Sequence, residues 1–352
     1  MKFTISHFAF RISQFLSPVL SVFFMGALLA GLLSPKQIEA AFFQQHSTWY
    51  EKIPATPQVM ANSSNYVSDI VINRNGIGIN YKEWSVPVWY AAENTPNVTV
   101  AAGTMYGAPY NLNAWLLGWN IVPIPPEALP AGNASNLAGQ KRDGHMVVVS
   151  YDRRYAWDFF GAMKDATGRW SARVIRRWDL NRDGINSPYD LLGSVRAAPV
   201  PLLHGLIMHD EIQRGYVDHA LAFAYWGAKK PDRGVYPAVK RNNGVSDRPW
   251  AMSTGFRLQL DPSLNIDSLS LNRAGKIIAK ALQEYGMIFV ENCGKGCNSV
   301  YAESLDDKPV SWTGILGGLP GVPLNRFRVV TPIYPSAVKP SAPSSLQLFP
   351  QP

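Results

Sequence analysis

From His145 onward, apolar and polar positions alternate in short runs separated by turn residues. His145–Tyr151, Tyr155–Gly161 and Trp170–Trp178 are β-rich segments parted by Asp152-Arg-Arg and by Lys164-Asp-Ala-Thr-Gly-Arg. That spacing predicts a three-stranded antiparallel meander. On the third strand the two-residue period of side chains puts Trp170, Ala172, Val174, Arg176 and Trp178 on one face. Ser171, Arg173, Ile175 and Arg177 fall on the other. In Val217–Trp226, His219, Leu221, Phe223 and Tyr225 alternate with Ala220, Ala222 and Ala224. This predicts a strand whose small-residue face packs closely on another layer. Gly255–Leu260, Met287–Glu291 and Arg326–Val330 read as further strands. Leu206–Gln213 reads as a short helix stopped at Gly215. Asn272–Tyr285 is the clearest helix: Ile277, Ile278, Ala281, Leu282 and Tyr285 recur at helical spacing, and Gly286 suits the position after its C-cap.

Residues 41–140 are rich in Asn, Pro, Gly and aromatics, with short apolar runs at Trp84–Tyr90 and Asn120–Ile124. They read as short strands joined by long loops. Strands outnumber helices and no βαβ alternation occurs. The expected fold is mainly β: an antiparallel β-sandwich, jelly-roll-like, with one or two short helical insertions. Residues 141–330 form its core and 41–140 a β-rich extension packed on it. Residues 331–352 form a Pro-rich tail. At the start, Lys2 and Arg11 precede an uncharged stretch from Phe15 to Leu33, and small residues follow at Ala40 and Ala41. Residues 1–40 therefore match a signal peptide cut before Ala41. An uncleaved N-terminal anchor is the alternative, because the run approaches membrane-spanning length. Both readings place the remainder outside the cytoplasm: secreted, periplasmic or at the cell surface, with membrane contact only through an uncleaved N-terminal segment.

Composition sharpens this picture. Of 352 residues, 47% are hydrophobic, 12% aromatic and only 16% charged, against about a quarter charged in an ordinary soluble domain. Such a chain is not disordered. Its Gly and Pro have no collagen-like period. The net charge of +8 is partly concentrated in Lys141, Arg142, Arg153, Arg154, Arg169, Arg173, Arg176 and Arg177. A basic surface favours acidic partners. Export argues against nucleic acid and for a polysaccharide or oligosaccharide, acidic ones included, with a merely solvated basic face as the alternative. The only cysteines are Cys293 and Cys297, which in an oxidising compartment predict a local disulfide around a Gly-rich loop.

Three constellations could carry chemistry. Asp179, Asn181, Asp183 and Asp190 stand at positions one, three, five and twelve of a calcium-type loop with Gly184 at six. Calcium is therefore the one cofactor nominated. Asn186 and Pro188 depart from the pattern, and a plain Asp/Asn/Gly turn is the competing reading. Met208–His219 brings Glu211 and His219 into one segment with His209, Asp210 and Asp218. A carboxylate and an imidazole held together can act as acid and base. His145 and Asp158 lie on adjacent meander strands and could face one groove. Trp157 and Trp178 would stack on a sugar face, with Arg257 as a further substrate-binding candidate. The bland alternative is that these side chains serve packing and local hydrogen bonds. No G-x-S-x-G, phosphate loop or H-E-x-x-H occurs.

Several segments, in one order, resemble a widespread family of exported, largely uncharacterised bacterial proteins. They include Ile121-Val-Pro-Ile-Pro-Pro126, Asp143-Gly-His-Met-Val-Val148, Pro201-Leu-Leu-His-Gly-Leu206, Asp210–Leu221, Tyr236-Pro-Ala238, Ala251–Leu258 and Ala281–Ile288. The resemblance covers roughly residues 80–300. It implies export and a shared core, and places His145, Asp158, Glu211 and His219 at matching positions. The family usually has a His soon after the Tyr-Pro-Ala triplet, where Lys240 and Arg241 stand here, and a longer Trp-Thr-Ser-Ala-Asp-like stretch before the Pro-Leu-Leu segment, where the Asp179–Asp190 loop stands here, so the resemblance does not imply calcium. The functional expectation is a carbohydrate-active protein, a glycoside hydrolase or polysaccharide lyase. The alternative is a non-catalytic glycan-binding or structural envelope protein.

Overall fold

The computed structural model separates Met1–Ala40 from the body Ala41–Pro352. It describes residues 42–43, 47–73, 76–104, 113–132, 143–185, 194–230, 234–238, 244, 246–306, 308–317, 319 and 321–335. The leader, Asp190 and the tail beyond residue 335 lie outside the described residues. No helix among the described residues is long and apolar enough to cross a membrane.

The body is mainly β, with several sheets, none of which closes on itself. A six-stranded sheet runs in the order β1 (Gly78–Asn80), β14 (Asn298–Tyr301), β11 (Leu221–Tyr225), β13 (Met287–Asn292), β12 (Arg257–Leu260), β15 (Phe327–Val330). A four-stranded sheet runs β10 (Val174–Asp179), β7 (Tyr155–Phe160), β6 (Met146–Val149), β2 (Val88–Tyr90). Two small sheets pair β3 (Val98–Thr99) with β5 (Ile121–Val122), and β4 (Ala101–Ala102), β9 (Trp170–Ala172) and β8 (Met163–Lys164). Among the described residues the α-helices are α1 (Ser63–Asn73), α2 (Asn113–Leu116), α3 (His209–Arg214) and α4 (Arg273–Glu284).

The meander is present: β6–β7 and β7–β10 are antiparallel, with Val147 opposite Asp158 and Arg176 opposite Asp158. The expectation of an antiparallel fold throughout is not met. The pairs β1–β14, β11–β13, β2–β6 and β4–β9 are parallel, so the sheets are mixed. The third meander strand is also two strands in different sheets. The chain breaks at Arg173, whose N–H donates to the Phe160 carbonyl. Trp170, Ala172 and Ile175 pack in one apolar cluster, and Val174 and Trp178 in another. The single face expected from Trp170 to Trp178 therefore switches sides at the break.

The alternation in β11 is realised. Leu221, Phe223 and Tyr225 face α1 and α4, where they meet Ile70, Ile278 and Leu282. Ala220, Ala222 and Ala224 face the other way, toward Val147, Val149, Val174 and Trp178 of the four-stranded sheet. The segment Ser194–Met208 enters this inter-sheet layer with Val200, Leu202 and Leu206. Gly205 explains why the facing side chains are small. At φ +71, a Cβ on it would overlap the Ala222 nitrogen and sit 2.8 Å from the Leu221 carbonyl carbon. Gly205→Ala is expected to destabilise the protein by about 3 kcal/mol, combining overpacking with a strained backbone. A lowered urea midpoint at unchanged m-value checks this. A midpoint equal to wild type would mean that the two layers are not in close contact there.

Residues 41–140 are woven into both main sheets through β1 and β2, and they include α1, where the sequence pattern reads as loop. Its segment is rich in Ser and Asn, which favour caps and turns over helix interiors. Packing of Val67 and Ile70 and the two-pronged Arg248–Asp69 ion pair at 2.6 and 2.7 Å hold it. Helix α4 starts at Asn272, whose side chain accepts the Gly275 N–H, and Gly286 follows at φ +72. Cys293 and Cys297 form the expected disulfide, with Cα atoms 5.9 Å apart.

Candidate functional site

The inter-sheet layer contains polar groups that an apolar core would normally exclude. Two of them are His145 and Asp158. Alternation turns both toward the layer, as expected from the sequence, but Ser194–Met208 roofs it, so the two line no open groove. The Asp158 carboxylate accepts the Leu202 N–H and the Trp178 indole N–H, each at 2.8 Å. Burial pushes its pKa up to about 7 against the pull of those two bonds and of Arg196 and Arg176. His145 has no partner at Nδ1. Its pKa is pushed down to about 4, chiefly by burial, with Asp143 opposing and Arg196 reinforcing. It is a neutral imidazole at ordinary pH.

Arg196 organises the roof. It is buried, and its guanidinium donates to the carbonyls of His204 (2.9 Å), Leu202 (3.2 Å) and Pro201 (3.4 Å) and lies 5.2 Å from the centre of the Tyr301 ring. Nearby, Glu291 accepts the Ala197 N–H at 3.0 Å, and burial raises its pKa to about 7. His204 is wedged between Phe43 and Trp49, with ring centres 4.3 and 5.1 Å away. Neither of its ring nitrogens has a hydrogen-bond partner. Desolvation, with the charges of Arg196 and His219, holds it well below the usual imidazole range.

The second pair, Glu211 and His219, is in direct contact. His219 Nδ1 lies 2.9 Å from the Ala220 carbonyl, and Nε2 lies 3.1 and 3.3 Å from the two Glu211 carboxylate oxygens. Nδ1 faces a carbonyl and Nε2 a carboxyl group, an arrangement that favours the charged ring. Burial opposes that charge, but the Glu211 carboxylate, its hydrogen bond and the Ala220 carbonyl outweigh it and raise the His219 pKa. Glu211 is the third residue of α3 and accepts the Met208 N–H at 2.8 Å, as an acidic residue at that position does. Gly215 ends α3 in the left-handed conformation at φ 98, as expected from the sequence.

A second carboxylate reaches the start of α3. Glu303 accepts the N–H of His209, the residue after Met208, at 2.8 Å, and pairs with Lys308 at 3.2 Å. The Tyr50 ring stands edge-on to His219 at 6.4 Å. Burial first, then the charges of Glu211 and Asp218, raise the Tyr50 pKa. No hydrogen bond or ion pair among the described residues joins Asp158 to Glu211. Sequence pattern does not point to Glu303, Tyr50, Arg196, His204 or Glu291. Only Arg196 carries a local signal, as a lone arginine beside an apolar stretch.

The nominated substrate-binding residues are buried too. Trp157 and Trp178 are 6% and 3% exposed, so neither offers a ring face to solvent. Arg257 donates to the carbonyls of Tyr285 (2.7 Å), Thr48 (3.1 Å) and Glu51 (2.7 Å). Burial lowers its pKa to about 9 against Glu51, Tyr236 and Tyr285. It ties the 48–51 stretch to the end of α4. In the calcium-type loop, Asp179 accepts the Asn181 N–H at 3.0 Å and Asp183 the Ile185 N–H at 2.9 Å. These are turns of the Asx kind. No group of three or more His, Cys, Asp or Glu side chains among the described residues is placed to hold a metal ion. The described part of the loop therefore does not form a ligand shell.

No protein family, curated protein or solved structure matches the chain. Glu211 and His219 form a carboxyl–imidazole pair that can hold and pass a proton, with the Tyr50 ring edge-on to the imidazole.

Proposed function

We propose that the protein is an exported carbohydrate-active protein that cleaves or otherwise processes an extracellular polysaccharide, with Glu211 and His219 as its acid–base pair. The observation that carries this reading is the 3.1 Å contact between the two side chains, beside Tyr50 and Glu303. Hydrolysis of a glycosidic bond uses two carboxyl groups. In this reading they are Glu211 and Glu303, because these accept the N–H groups of consecutive residues. Asp158 serves instead to anchor the roof. A polysaccharide lyase would use His219 or Tyr50 to move the proton. The signal-like pattern of residues 1–40 supports export. The shared apolar layer of the two main sheets supports a sandwich.

A second reading has a specific observation in its favour. Glu211 and His219 are only 1% and 5% exposed, which suits a brace between α3 and the start of β11. The protein is then a non-catalytic glycan-binding or structural envelope protein. Exposed aromatics such as Trp84, Tyr151, Tyr216 and Tyr90, the last with Arg153 stacked 4.3 Å above it, would meet the sugar. Incubation of the purified protein with a panel of neutral and acidic polysaccharides separates the two. New reducing or unsaturated chain ends support the enzyme. Retention on a polysaccharide without new ends supports the binding module. Neither retention nor new ends would overturn the carbohydrate reading altogether.

A further inference from the structure

Resting on the polysaccharide reading, a second place on the molecule bears on which sugars are bound. At the edge of the four-stranded sheet, beside β10, a cavity of about 150 Å³ is lined by Trp119, Tyr155, Trp178, Arg177, Arg182 and Asp179, and floored by the Gly184–Ile185 turn. The β7–β10 register sets it up. Tyr155 lies opposite Asp179 and Trp157 opposite Arg177, so the two-residue period brings Arg177, Asp179 and Tyr155 to one face. Trp178 enters from the other face, its indole N–H held by Asp158.

The cavity is cationic. The Arg177 guanidinium stacks 4.6 Å from the centre of the Tyr155 ring and 5.9 Å from that of Trp119. Arg154 stacks on Tyr155 at 5.1 Å, and Arg176 lies 4.7 Å from the Trp178 ring. Among the described residues that line the cavity, two guanidinium groups, Arg177 and Arg182, stand against one carboxylate, Asp179, which accepts the Asn181 N–H. Among the described residues neither Arg177 nor Arg182 is in an ion pair with a carboxylate. A stacked guanidinium keeps its planar fork of donors free for an incoming carboxylate or sulfate. The space is small for an oligosaccharide and suits one charged substituent with part of its ring.

We infer that the Arg177–Arg182 cavity is a binding subsite for an anionic sugar residue, carboxylated or sulfated, within the polysaccharide. It lies apart from Glu211 and His219, neither of which lines it.

Affinity electrophoresis of the full chain through gels holding polygalacturonate, dextran sulfate or neutral dextran tests this. The expected result is retardation by an anionic polymer, weakening as salt is added. Combined Arg177→Gln and Arg182→Gln substitution should lower that affinity at least tenfold. Combined Arg169→Gln and Lys230→Gln, which remove the same charge away from the cavity, should leave it near wild type. Retardation in polygalacturonate alone assigns a carboxylate. Retardation in dextran sulfate assigns a sulfate. Equal losses in the two double variants, or no loss in the first, overturn the subsite. Retardation by neutral dextran alone overturns it while leaving the polysaccharide reading standing. Retardation by none of the three, with no new chain ends from any polysaccharide, overturns both.

Discussion

Asp158→Ala is expected to destabilise the protein by about 3–5 kcal/mol, more than Gly205→Ala does. Two buried donors, the Leu202 N–H and the Trp178 indole N–H, would lose their acceptor. Each such group costs about 1–3 kcal/mol when left unpaired in a core. The change also frees Ser194–Met208 from the four-stranded sheet, leaving it held by bonds such as Ala198 to Val290 and Ala197 to Glu291. Asp158→Asn keeps an acceptor oxygen and should cost less.

The pH dependence separates the two terms. Folding raises the Asp158 pKa from 3.8 to about 7, so the folded state holds the proton more tightly than the unfolded one. The resulting stability is complete below about pH 4 and is lost as pH rises through about 7. Asn does not titrate. The advantage of wild type over the Asn variant should therefore be greatest near pH 4 and shrink toward pH 8. His145 and His204 shift in the opposite sense, but they are present in both proteins and largely cancel in the difference. Urea unfolding at several pH values measures it. A difference that grows with pH would mean that Asp158 is held ionised by its neighbours rather than neutralised by burial.

Glu211→Gln is expected to slow polysaccharide cleavage by about 10²–10⁴-fold, the usual contribution of a positioned acid or base. The amide keeps an oxygen for the Met208 N–H, so α3 retains its cap. What is lost is the negative charge that holds His219 as an imidazolium. The His219 pKa should fall, which a ¹H–¹⁵N titration of the ring reads directly. Because folding raises that pKa, its stabilising share is complete below about pH 6.5 and is lost as pH rises through the folded value. The variant should thus be less stable than wild type mainly on the acidic side, and close to it in alkali. An unchanged His219 titration would show that Glu211 does not set its charge.

Local pattern makes some of this legible and long-range geometry hides the rest. The β6–β7–β10 meander, α4 and the two faces of β11 are readable because each is one segment with its own period. The Cys293–Cys297 pair is readable because only three residues lie between its ends. The break at Arg173 is not, since Trp170–Trp178 alternates without interruption and only pairing with two different sheets divides it. The parallel pairs are hidden for the same reason: Gly78 meets Ser299, and nothing near either residue announces the other. At the site, Glu211 and His219 share one short segment, and their proximity can be anticipated. Glu303 arrives from the far end of the chain, and Tyr50 from its beginning. Burial changes the meaning of the aromatics most. Trp157 and Trp178 look like sugar platforms and are core residues, and the cavity that Trp178 helps to line with Tyr155 and Trp119 is one that the sequence alone does not outline.

The most direct measurement is the rate at which new chain ends appear in a polysaccharide panel treated with wild type and with Glu211→Gln, after thermal melts show both proteins folded. The account predicts cleavage of at least one polysaccharide by wild type and a loss of about a hundredfold or more in the variant. Equal rates, or no new ends from any polysaccharide with the wild-type protein, would contradict it.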